Sequence, residues 1–227
     1  MTEKPIFRWS FSQWESYNSC PARWKYRSVL KMPSSPPGPA AARGIEMHSE
    51  CDDYIMGRRE QRPLIVAPRY TEILNSFRDH ENGDRHCELR LAMDENWSIV
   101  GPREPGAALI AVLDAVRVTN DKVVHIGEWK SGKPKDTHGD QRKMYATFGL
   151  AKWYYAEEVR VTTYYLEDTA PPAQLIVKPT ALPKLISIWD ERRSLMQRDQ
   201  ICAPRPGIHC RWCDYAKAKG GPCAFGD

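Results

Sequence analysis

Two runs in the middle of the chain are apolar and β-branched, and each holds an acid. Residues 108–118 (ALIAVLDAVRV) carry Asp114 inside the run, and residues 122–129 (KVVHIGEW) carry Glu128 near the end. Thr119-Asn120-Asp121 between them has hairpin-turn chemistry. A hairpin of this length sets Asp114 beside the Glu128–Lys130 stretch. Glu128 and Lys130 are two apart, so they share one face of their strand.

The rest of the pattern frames this hairpin. Ser10 with Gln13 forms a capping box and opens a helix to about residue 18. Pro21 suits the first turn of a second helix over 22–29. Residues 33–40 (PSSPPGPA) are a flexible loop. Helices follow over 41–56 and 70–79, then strands over 86–93 and 98–100. After the hairpin come a Gly/Lys-rich turn at 131–135, a helix over 140–156, strands over 159–166 and 174–177, and a helix over 182–198. The tail from Ile201 is irregular, and there is no internal repeat. This order predicts an α/β fold with one central mixed sheet flanked by helices. At 227 residues, a single domain is expected.

Composition narrows the class. A hydrophobic content of 41% supports a real core. No stretch approaches the roughly 18–20 apolar residues of a membrane span. The start, MTEKPIFRWSFSQ, lacks the apolar centre of a leader peptide, so a cytoplasmic protein is expected. The net charge of +4 is compatible with a polyanion partner without identifying one. There are seven cysteines, an odd number, which in a reducing compartment favours metal binding over a disulfide framework.

Two carboxylates and an ammonium on one sheet face are costly to leave unpaired. A divalent cation with hard oxygen ligands, Mg²⁺ or Mn²⁺, resolves the cost. Solvated strand charges or a single salt bridge explain the same three residues equally well.

The wider motif set distinguishes these readings. D-x13-E-x-K, followed by a helix bearing Gln141-Arg-Lys-Met-Tyr145, resembles the PD-(D/E)XK nuclease superfamily, and more narrowly its RecB-like branch. Gln141 and Tyr145 lie one turn apart and share a helix face. His48 stands where that branch has its upstream histidine, and the order of motifs matches along nearly the whole chain. Ala111 replaces the glycine often found three residues before the first acid.

The resemblance implies a restriction-endonuclease-like core. It implies that Asp114 and Glu128 ligate the cation, with His48 and the Trp129 main-chain carbonyl, and that Lys130 orients the attacking water and offsets charge on the phosphate. Gln141 and Tyr145 then contact the substrate strand or brace the site, and Glu88 is a further candidate acid. The implied activity is hydrolysis of DNA with single-stranded character, as an exonuclease rather than an endonuclease. No nucleotide-binding G-x4-G-K-[ST] motif is present, so unwinding would need a helicase or recombination partner.

Cys210-Arg-Trp-Cys213 and Cys223 form a C-x2-C-x9-C tail, one thiolate short of a tetrahedral set. Cys20 is the leading fourth member and Cys202 its rival, whereas Cys51 and Cys87 read as buried thiols. A lone early cysteine with a late trio resembles the iron–sulfur staple of RecB-like nucleases such as AddB and the CRISPR spacer-adaptation nucleases. That implies a [4Fe–4S] cluster joining a region at about 10–30 to one at 201–227, around a nuclease core at about 41–200. Zinc is the alternative for four thiolates. Aromatic and basic residues interleave at 23–27, and an aromatic run stands at 153–155; both suit stacking on single strands, or ordinary helix cores. The rival function is a non-catalytic nucleic-acid-binding module with a structural metal site of four cysteines.

Overall fold

The computed structural model of the chain describes residues 6–79 and 83–226. Residues 1–5, part of the segment read above as no leader peptide, lie outside these. In chain order the first elements are β1 (Trp9–Ser10), α1 (Phe11–Ser19), α2 (Pro21–Trp24), α3 (Pro39–Ile55) and α4 (Thr71–Arg78). Strands β2 (Gly83–Met93), β3 (Ile99–Val100), β4 (Leu109–Thr119) and β5 (Val123–Lys130) follow. Then come α5 (Thr137–Lys152), β6 (Glu158–Tyr165), β7 (Ala173–Val177) and α6 (Leu182–Arg198). The chain divides into two compact units. One comprises Gly38–Ser187 with the N-terminal residues to Arg8, and the other Trp9–Pro37 with Ile188–Asp227.

The first unit is built on a mixed sheet with strand order β3-β2-β4-β5-β6-β7. The predicted hairpin is there, with Val118 opposite Val124 and Ala115 opposite Gly127. Lys122, at φ 62°, closes its turn in the left-handed region. The pair β5 and β6 is parallel, with α5 as the crossover between them. Gly149 lets that helix lie close: a Cβ there would sit 2.8 Å from Val159 and 3.1 Å from Ile126. On the other face a core forms from Met47, Cys51 and Ile55 of α3, Leu74 and Phe77 of α4, and Ala115 and Trp129 of the sheet.

The central sheet register produces a fork. The β4–β5 ladder stops at Ala115 and Gly127. Beyond it, β4 stays paired with β2 as far as Leu109, and β5 stays paired with β6 as far as Lys130. The two halves of the sheet part at Asp114 and Glu128.

The second unit has an aromatic core. Trp9 and Phe11 pack on Trp189, Trp14 on Tyr17, and Tyr17 edge-on to Trp24 at 5.4 Å. The Arg192 guanidinium lies over both Trp14 and Trp189. Ser10 Oγ accepts the Gln13 main-chain N–H and so caps α1, one half of the expected capping box.

Two local expectations are corrected, and one left open between two readings is decided. The helix expected over 22–29 is α-helical only to Trp24 and then widens to a π-turn over Lys25–Val29. The helix expected to reach 156 ends at Lys152, because Trp153 leaves helical geometry and is buried. The aromatics of the 23–27 run turn inward: Trp24 is buried and Tyr26 packs on Tyr215.

His125 sits in register between Arg117 on β4 and Arg160 on β6. Burial and these two cations push its pKa down from 6.5 to about 4, against the weaker pull of Asp121 and Glu158. The unfolded chain therefore binds a proton between these pH values that the fold refuses, so stability falls as pH drops from 6.5 towards 4. Thermal melts across this window should show a pH slope that His125→Gln reduces.

Candidate active site

The freed backbone at the fork is taken up by side chains. The Trp129 N–H donates to Asp114 Oδ2 at 2.8 Å, where a ladder bond would otherwise lie. The Trp129 carbonyl stands 3.0 Å from His48 Nε2. Asp114 and Glu128 are buried, which is rare for acids without strong partners.

His48 comes from the middle of α3, and its Nδ1 lies 3.4 Å from Asp114 Oδ1 and 3.9 Å from Glu88 Oε1. His48, Glu88 and Asp114 each offer a ligand atom, all within 4.8 Å of one another. Glu88 reaches this group from the interior of β2 with φ 48°, a left-handed backbone that costs a non-glycine residue about 1–3 kcal/mol. Such strain is kept only where surrounding structure overrides it.

Glu128 is held by different partners. Its Oε1 takes Lys130 Nζ at 2.5 Å and Gln141 Nε2 at 2.7 Å. Gln141 is also 3.1 Å from the Tyr145 hydroxyl, which donates to the Val112 carbonyl at 2.8 Å. This chain of bonds ties α5 to both sides of the fork. Glu128 Oε2 is buried and has no hydrogen-bond partner.

Charge explains the titration of the group. Burial and the neighbouring Asp114 push the Glu128 carboxyl up, and Lys130 and His48 only partly offset them. Burial and Asp114 also raise Glu88. Burial disfavours the His48 imidazolium, but the hydrogen bond and charge of Asp114, with Glu128 and Glu88, reverse this and lift its pKa to about 9. Burial keeps Tyr145 protonated, as its role as donor requires. An excess of carboxylate gathers on one side of the fork.

That donor set fits a hard divalent cation. The Glu88 and Asp114 carboxylates and the His48 imidazole offer ligand atoms within 4.8 Å of one another, the Trp129 carbonyl touches His48, and the buried Oε2 of Glu128 lacks a hydrogen-bond partner. A cation bound there supplies Lewis acidity and a water of lowered pKa.

All six expected catalytic residues, His48, Asp114, Glu128, Lys130, Gln141 and Tyr145, fall in this one region, as do Glu88 and the Trp129 carbonyl. The chain belongs to the PD-(D/E)XK nuclease superfamily. The superfamily's model matches residues 8–218. A candidate exonuclease from Eubacterium rectale aligns with 97% of this chain and 90% of its own, at 9% identity and a TM-score of 0.52. At that identity the likeness is one of fold. The structure SSO0001 aligns with 100% of this chain and 90% of its own, at 15% identity and a TM-score of 0.47. LHK-Exo in complex with dAMP aligns with 84% of this chain and 88% of its own, at 11% identity and a TM-score of 0.41. No curated protein is matched.

Beside His48 and Glu88 lies a pocket that the sequence motifs did not point to. Ala41, Gly44, Ile45, Ser49 and Asp52 line it beside His48 and Glu88. The signal was available in the spacing: 41, 45, 48 and 52 fall on one helical face. Ile45 is 62% exposed there, an apolar wall next to the acids.

The cysteines form a second constellation, inside the second unit. Cys20, Cys210, Cys213 and Cys223 line one pocket with Pro204, Arg205 and Phe225. The Arg205 N–H points at Cys20 Sγ (3.5 Å) and the Gly207 N–H at Cys210 Sγ (3.4 Å). Cys202 does not line this pocket; its thiol donates to the Asp199 carbonyl at 3.3 Å. Cys51 is fully buried in the first unit, where burial and Asp114 push its thiol up to about 12, and Cys87 is half-buried against the same core.

In protein stripped of divalent cations, the His48 imidazole should titrate near pH 9. Asp114→Asn removes the charge that raises it and should bring the midpoint down by about one unit or more, the scale of a close opposite charge. NMR titration of the histidine ring signals measures both.

Proposed function

We propose that the chain is a divalent-cation-dependent deoxyribonuclease, acting as an exonuclease on DNA with single-stranded character. The observation that carries this is the fork, where His48, Glu88 and Asp114 offer ligand atoms within 4.8 Å of one another, and where Glu128, paired with Lys130, has a buried carboxylate oxygen without a hydrogen-bond partner. His48, Asp114, Glu128 and the Trp129 carbonyl would hold Mg²⁺ or Mn²⁺, with Glu88 as an added acid. Lys130, released from Glu128 as that carboxylate turns to the cation, would orient the attacking water and face the phosphate. Gln141 and Tyr145 brace both sides of the fork.

Purified protein should degrade DNA with Mn²⁺. Asp114→Ala and Lys130→Ala should each lower the rate by about a thousandfold, the scale of several kcal/mol of lost charge stabilisation. Full activity in either variant sinks the mechanism. End-labelled single and double strands read polarity and strand preference in the same assay.

The four cysteines support a [4Fe–4S] cluster as the staple of the second unit. The four thiols line one pocket, and the two main-chain N–H groups aimed at sulfur suit the sulfurs of an iron–sulfur cluster. A unit with so small a core needs such a tie. Anaerobically purified protein should contain iron and sulfide in equal amounts. Cys213→Ser should lose both and melt at lower temperature, whereas stoichiometric zinc with no iron overturns the assignment.

A further inference from the structure

The formal charge of +4 is unevenly divided. The segments of the second unit, 9–37 and 188–227, hold eleven Lys and Arg against six Asp and Glu, so this unit carries the whole positive surplus. The tail beyond Met196 sharpens the asymmetry. Arg198, Arg205, Arg211, Lys217 and Lys219 are all exposed. The two acids described there are half-buried and hydrogen-bonded. Asp199 accepts the Tyr17 hydroxyl at 2.9 Å and the Cys202 N–H at 2.8 Å. Asp214 accepts the Ser35 hydroxyl at 2.6 Å. Among the described residues, the tail presents cations and no exposed acid.

An aromatic ring stands within this field. Trp212 is 68% exposed, between Arg211 and the buried Cys213. Its backbone is held by the cysteine pocket on both sides, with the Cys213 N–H donating to the Cys210 carbonyl. A large indole fixed at its root and bare at its face is costly to leave in water. The other tryptophans of this unit, Trp9, Trp14, Trp24 and Trp189, are buried.

We propose that this tail is a docking surface for single-stranded nucleic acid. Trp212 offers its face to one base, and Arg211 and Lys219 take neighbouring phosphates. An aromatic face among cations holds single strands irrespective of sequence, because every base has a π-face and every link a phosphate. In a duplex those faces are stacked on each other and closed to the ring. A protein partner would have to be strongly acidic to meet five cations. The proposal goes beyond the nuclease reading, since it assigns a separate surface and does not depend on cleavage.

The test uses the full-length protein, as purified, in chelator so that no strand is cut. Fluorescence anisotropy follows a labelled oligo-dT single strand and a mixed-sequence duplex over a range of salt. Trp212→Ala should weaken oligo-dT binding by roughly tenfold or more, the worth of one base stacked on an aromatic ring. Trp212→Phe should restore most of that loss, and the duplex should be less affected. Arg211→Glu with Lys219→Glu should weaken binding of both and flatten the salt dependence, because fewer counterions are released. Unchanged melting temperatures show that the variants fold. Wild-type binding of oligo-dT by both the Trp212→Ala and the double-charge variants overturns the proposal. So does failure of the native protein to bind oligo-dT, which would turn the surface over to a protein partner. A chain that binds through Trp212 and never cuts defeats the nuclease reading alone. A chain that cuts, yet binds equally well without Trp212, defeats this one alone.

Discussion

The site of this nuclease-superfamily chain depends on a ladder that stops. The β4–β5 pairing ends at Ala115 and Gly127, and the backbone groups that open there must still find partners. The Trp129 N–H goes to the Asp114 carboxylate and the Trp129 carbonyl to His48. A side chain thus stands where a strand would have been. The fork places Asp114 and Glu128 where the two halves of the sheet part.

Electrostatic cost keeps this arrangement poised. Asp114 and Glu128 are buried near each other, and Glu88 is drawn towards them by strained backbone. Without a cation, the fold offsets them with Lys130, Gln141 and a proton on His48. These are the groups that a divalent ion would displace or rearrange. Gln141 and Tyr145 carry the bracing from α5 to both arms of the fork, which gives the crossover helix a purpose beyond covering the sheet.

The second unit is governed by a shortage of core. It packs tryptophans and tyrosines rather than a broad aliphatic interior, and its tail has only short 3₁₀ turns. Four cysteines from distant parts of the chain meet in one pocket within it. A metal cluster tying them, as proposed, would hold the tail rigid enough to display Trp212.

Most of the fold was legible because periodicity and turn chemistry are local signals. The hairpin, the crossover helix and the helix over 182–198 follow from them; spacing set Asp114 beside Glu128 and Lys130 and put Gln141 and Tyr145 on one helix face, and the resemblance to the superfamily joined the two sets. The sequence also supplied Cys20 and the late trio, but left Cys202 as a rival, because distance in space is not written in spacing. Only the tertiary structure decided three matters. It stopped the ladder at Ala115, which depends on how β2 and β6 compete for the two strands. It brought Glu88 to His48 through a backbone angle that no residue pattern announces. It turned Trp24 and Tyr26 inward and left Trp212 outside, since an aromatic residue beside a basic one reads alike in sequence whether its ring is buried or exposed.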